Sequence, residues 1–230
     1  MNDTNRQLLV SAARLLRPLL EELVFVGGCV TGTLITDEAA TRVRATMDVD
    51  SIAEISSYVE HVRFGQRLRD IGFAEDTSEG APLCRWRQGE VILDVMPLDE
   101  TILGFSNRWY REAMYAAEVL TLEPLLNVRR ITAPLFLATK LEAFKGRGAG
   151  DYYSSHDLED VLSVIDGRPE LLEEARCASD DVRTYLALEF SSLLRDTGFI
   201  DALPGHLPPD EASQARIPML HERLQTLARR

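Results

Sequence analysis

The run Leu23-Val24-Phe25-Val26, halted by Gly27-Gly28, limits what this chain can become more than any other stretch of it. Aliphatic, β-branched and aromatic residues in succession read as a short strand, and the paired glycines end it in a turn that residues with side chains adopt only at a cost. Cys29 to Leu34 then opens a helix. Nineteen residues intervene between Gly28 and Asp48. From Met47 to Ala53 the pattern alternates, placing Met47, Val49 and Ser51 on one strand face and Asp48, Asp50 and Ile52 on the other. A third acid, Asp94, stands alone in Val91-Ile92-Leu93-Asp94-Val95. Carboxylates are depleted from strand interiors, and gathering three costs several kcal/mol of repulsion and desolvation unless a cation neutralises them.

The remaining pattern divides in two. Asn2 to Glu22 carries leucines at helical spacing behind the cap candidates Asp3 and Thr4, with Pro18 as a kink point. Ser56 to Ile71 predicts a helix stopped by Gly72, and Leu83–Trp86 and Val91–Met96 flank Gln88-Gly89 as a hairpin does. Asn107 to Glu118 reads as helical, and Val119–Leu122 and Val128–Ile131 as edge strands. Pro134 then starts a helix at its first turn. Leu135–Lys145, Ser155–Ile165, Pro169–Arg176, Asp180–Arg195 and Glu211–Ala228 all have helical spacing. A boundary near Thr132 therefore separates an α/β (α+β) unit with a small mixed sheet, residues 1–132, from a C-terminal helical bundle, residues 133–230.

Composition narrows the function classes. Across 230 residues, Lys and Arg number 25 against 37 Asp and Glu, a formal charge of −12, which argues against broad electrostatic wrapping of nucleic acid. Three scattered cysteines form neither a disulfide framework nor a cysteine zinc site. The N-terminus lacks an export pattern, and the longest uncharged stretch, Leu23 to Thr36, is shorter than the roughly 20 apolar residues that span a bilayer. A cytoplasmic protein without a membrane partner is expected.

Mg²⁺ suits the three acids: it prefers hard oxygen ligands and is usually held by one or two carboxylates together with substrate phosphates. Two such ions about 4 Å apart stabilise both the attacking and the leaving oxygen of an in-line displacement. At Gly27 and Gly28 the absence of side chains lets phosphates approach backbone N–H groups at a helix start.

In this order the motifs resemble the nucleotidyltransferase fold of the DNA polymerase β type, and most closely the AbiEii-like toxin nucleotidyltransferases of bacteria. That pattern has Gly-Gly near a helix start and then Arg-x-Ser/Thr-x-Asp-x-Asp, matched by Gly27, Gly28, Arg44, Thr46, Asp48 and Asp50. Lys140-Leu141-Glu142-Ala143 and Asp157-Leu158-Glu159-Asp160-Val161 are similar to its later helical and acidic motifs, so the likeness runs from about Leu23 to Ile165. Where that family's wider pattern often has a serine after the first glycine, this chain has Gly28, which shifts phosphate contact to backbone N–H groups aided by Thr31 or Thr33. His156 stands where Arg or Lys is expected.

The resemblance implies roles by position. Asp48 and Asp50 bind the metals that bridge a nucleoside triphosphate, and Asp94 completes the second metal site and helps deprotonate an attacking hydroxyl. Lys140 contacts the triphosphate, with Asp157 and Asp160 orienting it or the substrate, and Gly27, Gly28, Thr31 and Thr46 line the nucleotide. It further implies transfer of a nucleotidyl group from an NTP to an acceptor hydroxyl at the tRNA 3′ end, by the toxin of a toxin–antitoxin pair with a cognate antitoxin protein. Phosphorylation of Thr46 would set negative charge beside the acids. The alternatives are transfer to a small molecule of the aminoglycoside type, an inactive nucleotide-binding regulatory module, and sugar transfer, which also uses a DxD motif.

Other features are weaker. Gly146-Arg147-Gly148-Ala149-Gly150 follows a helix rather than a strand and reads as a connection instead of a dinucleotide fingerprint. Ser155, His156 and Asp157 are too close in sequence for a hydrolytic triad. His61, His156, His206 and His221 lack metal-ligand spacing, and Cys29 reads as a small buried residue. Arg129, Arg130, Lys140, Lys145 and Arg147 are candidates for a cationic edge facing an RNA end.

Overall fold

In the computed structural model, residues 4–41, 43–147 and 150–229 are described. The cap candidate Asp3 and residues Gly148 and Ala149 of the glycine-rich connection lie outside them. The chain divides into two compact units, one of residues 1–30 and 45–132, the other of residues 31–44 and 133–230.

The first unit is a mixed α/β structure. Helix α1 (Thr4–Leu15) passes into a 3-10 helix (Arg17–Glu22) at Pro18, where the sequence places a kink. Strand β1 (Leu23–Val26) follows, with all four residues buried, then α2 (Gly28–Leu34), whose first turn belongs to this unit. Next come β2 (Val49–Ala53), α3 (Tyr58–Asp70), β3 (Ala74–Glu75), β4 (Arg85–Gln88), β5 (Val91–Pro97), α4 (Glu100–Leu103), α5 (Tyr110–Tyr115), β6 (Glu118–Glu123) and β7 (Leu126–Arg130).

Among the described residues the strands form one seven-stranded mixed sheet in the order β3-β4-β5-β2-β1-β7-β6. The β2–β5 and β1–β7 pairs are parallel and the others antiparallel. Leu9, Ala12 and Ala13 of α1 are completely buried, and α1 lies against β2, β5, β6 and β7.

Several elements differ from the sequence expectation. The strand expected from Met47 begins at Val49, so Asp48 sits at its entrance. The helix expected over Asn107–Glu118 shrinks to α5, because Glu118 is taken into β6, opposite Arg130 and ion-paired to it at 3.1 Å. β7 is an interior strand instead of an edge, since its parallel partner β1 lies far back in the sequence. β3 and α4 were not anticipated.

The second unit is helical among its described residues: α6 (Ala133–Arg147), α7 (His156–Gly167), α8 (Leu171–Cys177), α9 (Asp180–Leu193), α10 (Thr197–Ala202), α11 (Glu211–Gln214) and α12 (Ile217–Leu227), with a short 3-10 turn (Leu203–His206). The helix expected over Glu211–Ala228 is two, because Pro218 in the first turn of α12 has no N–H to continue an earlier helix. α10 was not anticipated.

Residues 31–44 are fastened to the end of α7. The N–H groups of Thr36 and Asp37 both donate to the Gly167 carbonyl at 2.9 Å. A Cβ at Gly167 would lie 2.7 Å from Ile35 Cγ2 and 3.0 Å from Ala40 Cβ, so only glycine permits this approach. Arg216 clamps the same junction, donating to Asp37 at 2.7 Å and to Asp166 at 2.8 Å. No described helix is long and apolar enough to cross a membrane.

Candidate active site

Strand register sets the site in the first unit. Val26 pairs with Asp50, Asp50 with Asp94, and Asp94 with Arg85, so one row crosses β1, β2, β5 and β4. Residues directly opposite share a face, which puts Asp50, Asp94 and Arg85 side by side, with Asp48 two residues before Asp50. Asp94 is 6% exposed. Arg85 grips it with two hydrogen bonds, Nε to Oδ1 at 2.8 Å and Nη2 to Oδ2 at 2.7 Å, and the same Nη2 reaches Asp48 Oδ2 at 2.8 Å. One guanidinium nitrogen therefore bridges two carboxylates. The hydrogen bonds Arg85 donates to Asp94, assisted by the charges of Asp94 and Asp48, raise its pKa and keep it cationic.

Asp48 is also held from behind. The Thr46 hydroxyl donates to Asp48 Oδ1 at 2.9 Å, while the Thr46 N–H donates to the side-chain oxygen of buried Asn5 in α1 at 3.0 Å. The loop before β2 is thus pinned to the first helix.

Gly27 acquires a specific reason. Its φ is +68°, and a Cβ there would fall 1.9 Å from Asp50 Oδ2. The Asp50 carboxylate occupies the space a side chain would need. Gly27→Ala is therefore expected to push Asp50 off the row, cutting activity at the site by roughly a hundredfold while thermal melting of the fold changes far less than the activity. Thr31 differs from the other nucleotide-binding candidates: it is fully buried and its hydroxyl has no hydrogen-bond partner, so it presents no oxygen to a ligand as it stands. Gly28 is buried as well.

Cys84, next to Arg85, is buried, and its thiol is pushed up to about 12 by burial, with the charges of Asp94 and Asp50 adding to the effect. Cys29 is buried and donates to the Val26 carbonyl, whereas Cys177 is exposed. Iodoacetamide at pH 8 is expected to alkylate Cys177 alone in the native protein, a result read as a single mass increment.

Among the described residues no group of three or more His, Cys, Asp or Glu side chains is already gathered to hold a metal ion; Arg85 occupies Asp48 and Asp94 instead. The donor chemistry nonetheless fits a hard divalent cation. Asp48, Asp50 and Asp94 offer only carboxylate oxygens, from one sheet face, with Asp48 and Asp94 already accepting a cationic group.

The chain matches no protein-family model and no curated protein. Among solved structures it is similar to an antigenic nucleotidyltransferase-like protein from Paracoccidioides brasiliensis, at 18% identity over 87% of this chain and 94% of that one, with a TM-score of 0.48. It is also similar to JHP933 from Helicobacter pylori, at 10% identity over 96% of this chain and 92% of that one, with a TM-score of 0.47.

In the second unit, Lys140, Asp157 and Asp160 form a buried network. Lys140 Nζ lies 3.2 Å from Asp157 Oδ1 and 2.7 Å from Asp160 Oδ2. Arg44 donates to Asp160 at 3.1 Å, and Arg147 adds two bonds to Asp157 at 2.9 and 2.8 Å. Burial pushes the Asp157 carboxyl up, but the Arg147 hydrogen bonds and the charges of Lys140 and Arg147 outweigh it, leaving the pKa lowered.

Each residue expected to line a cationic edge has a partner of its own. Arg130 pairs with Glu118, Lys140 with two aspartates, Lys145 with Glu189 and Arg147 with Asp157, while Arg129 donates to the Met114 and Glu21 carbonyls. Each cation is committed to a partner inside its own unit. Arg85 escaped the sequence reading, although a signal existed: closing the Gln88-Gly89 hairpin puts Arg85 opposite Asp94. Asn5 carried no signal, because its bond to Thr46 joins segments far apart in sequence.

Proposed function

We propose that this protein is a nucleotidyltransferase that moves a nucleoside monophosphate from an NTP to an acceptor hydroxyl. The observation carrying the proposal is the row Asp50, Asp94 and Arg85 with Asp48 at its edge, a concentration of acid on one sheet face beside a glycine that makes room for it. Asp48, Asp50 and Asp94 are the residues that would hold Mg²⁺, which when bound supplies charge neutralisation at the triphosphate.

The chain's own residues do the rest. The hydroxyl oxygen forms a bond to the α-phosphorus as the bond from that phosphorus to the β-bridging oxygen breaks, and pyrophosphate leaves with the electron pair. The hydroxyl proton passes to the Asp94 carboxylate. Thr46 and Asn5 hold Asp48 in place, and Gly27 leaves space for Asp50 to keep its position, so positioning is paid for in folding rather than at the moment of reaction.

The tRNA 3′ end as acceptor, toxin activity and control by a cognate antitoxin belong to this proposal on the strength of the motif resemblance alone. Incubating the purified protein with each α-labelled NTP, Mg²⁺ and total RNA tests it. Labelled tRNA supports the full reading, and a labelled small molecule or protein keeps the reaction but replaces the acceptor. NTP binding with no labelled product from RNA or cell extract overturns transfer in favour of a regulatory nucleotide-binding module.

A further inference from the structure

Arg85 is an unusual neighbour for a metal-binding face. Its guanidinium engages both oxygens of Asp94 and, through Nη2, one oxygen of Asp48. These are oxygens that a divalent cation held by the same carboxylates would need, and a guanidinium hydrogen bond and a metal bond compete for one set of lone pairs. The pairing is partly shielded, with side-chain exposures of 20% for Arg85 and 9% for Asp94, so salt screens it less than a surface pair. The arginine also arrives by design of the strand: the β4–β5 register places it opposite Asp94, and a residue at that position faces the acids whenever the hairpin closes.

We propose that Arg85 is the resident counter-ion of the Asp48–Asp94 pair and is displaced when a divalent cation binds there. The inference rests on the metal-dependent reading of this face. Arg85 does two things in consequence. It keeps two neighbouring carboxylates together before the cation arrives, and it sets a threshold for cation entry, because the ion must win the oxygens from a bidentate partner. Arg85 is a positioning residue: it acts through Asp48 and Asp94 and has no assigned contact with the reacting atoms.

Calorimetric titration of the full-length protein with Mn²⁺, in the absence of nucleotide, tests this. Arg85→Gln is expected to bind Mn²⁺ about tenfold more tightly than the parent, and Asp94→Asn to lose binding. Equal or weaker binding by Arg85→Gln, with Asp94→Asn still deficient, overturns the displacement while leaving the metal reading intact. Absence of Mn²⁺ binding in the parent and in Arg85→Gln overturns both.

A second measurement needs no variant. Butanedione modification of the parent protein, read by peptide mass spectrometry, is expected to rise several-fold at Arg85 when Mn²⁺ saturates the protein, with exposed Arg14 unchanged as the reference. Unchanged or reduced modification of Arg85 overturns the proposal. A purely structural ion pair would not predict a metal-induced gain in the reactivity of Arg85.

Discussion

Replacing Asp94 by asparagine is expected to lower nucleotidyl transfer by roughly a hundred- to a thousandfold, with circular dichroism and gel filtration unchanged. Asparagine keeps the shape of the side chain but removes the negative charge, the proton acceptor and one metal-seeking oxygen. The effect should fall mainly on turnover, since the charge matters most as the five-coordinate phosphorus forms. Asp94 is the buried centre of the row, opposite Asp50 on one side and Arg85 on the other. Transfer by Asp94→Asn at more than about a tenth of the parent rate would remove Asp94 from the chemistry and with it the proposed proton route.

The second large effect concerns folding of the second unit. Lys140→Ala is expected to destabilise the protein by about 3 kcal/mol in urea unfolding, because it strips one cation from two buried carboxylates and leaves a void beneath them. Arg44 and Arg147 remain to moderate the loss.

The pH dependence has a definite sign. The Asp157 pKa is lowered in the folded protein, so its contribution is complete above the unfolded value near 3.8 and disappears as pH falls through the lower, folded value. Acid unfolding of the parent should therefore steepen below about pH 4. Lys140→Ala should show a shallower decline there, having lost part of the stabilisation already. An unfolding free energy within about 1 kcal/mol of the parent would show that Lys140 contributes little to the fold.

The spacing of Asp48 and Asp50 was legible because it depends on a local rule, whereas the parallel β2–β5 pairing that sets Asp94 beside Asp50 joins segments far apart in sequence. Alternation puts Asp48 and Asp50 on one side of a strand, and the hairpin around Gln88-Gly89 orients β5. The glycine turn was legible as a turn, but its tightest constraint, the Asp50 oxygen where a Cβ would lie, is a contact between separate strands. Non-local pairing hid the rest. Nothing near Val128 indicates that β7 would find β1 as a parallel neighbour, nor that Glu118 would leave a helical pattern to oppose Arg130. Lys140 is expected at a triphosphate from the motif resemblance, and only α7, bringing Asp157 and Asp160 against it, shows the buried ion-pair network it joins.

The fastening of residues 31–44 to Gly167 has a consequence for biosynthesis. This segment leaves the ribosome early, yet the helix end that receives Thr36 and Asp37 and the arginine that clamps Asp37 are translated much later. A nascent chain halted at Thr132 would expose the loop with its amide donors waiting for an acceptor. The two units are interleaved along the polypeptide, and a single cut after Thr132 would leave residues 31–44 of the second unit covalently attached to the first.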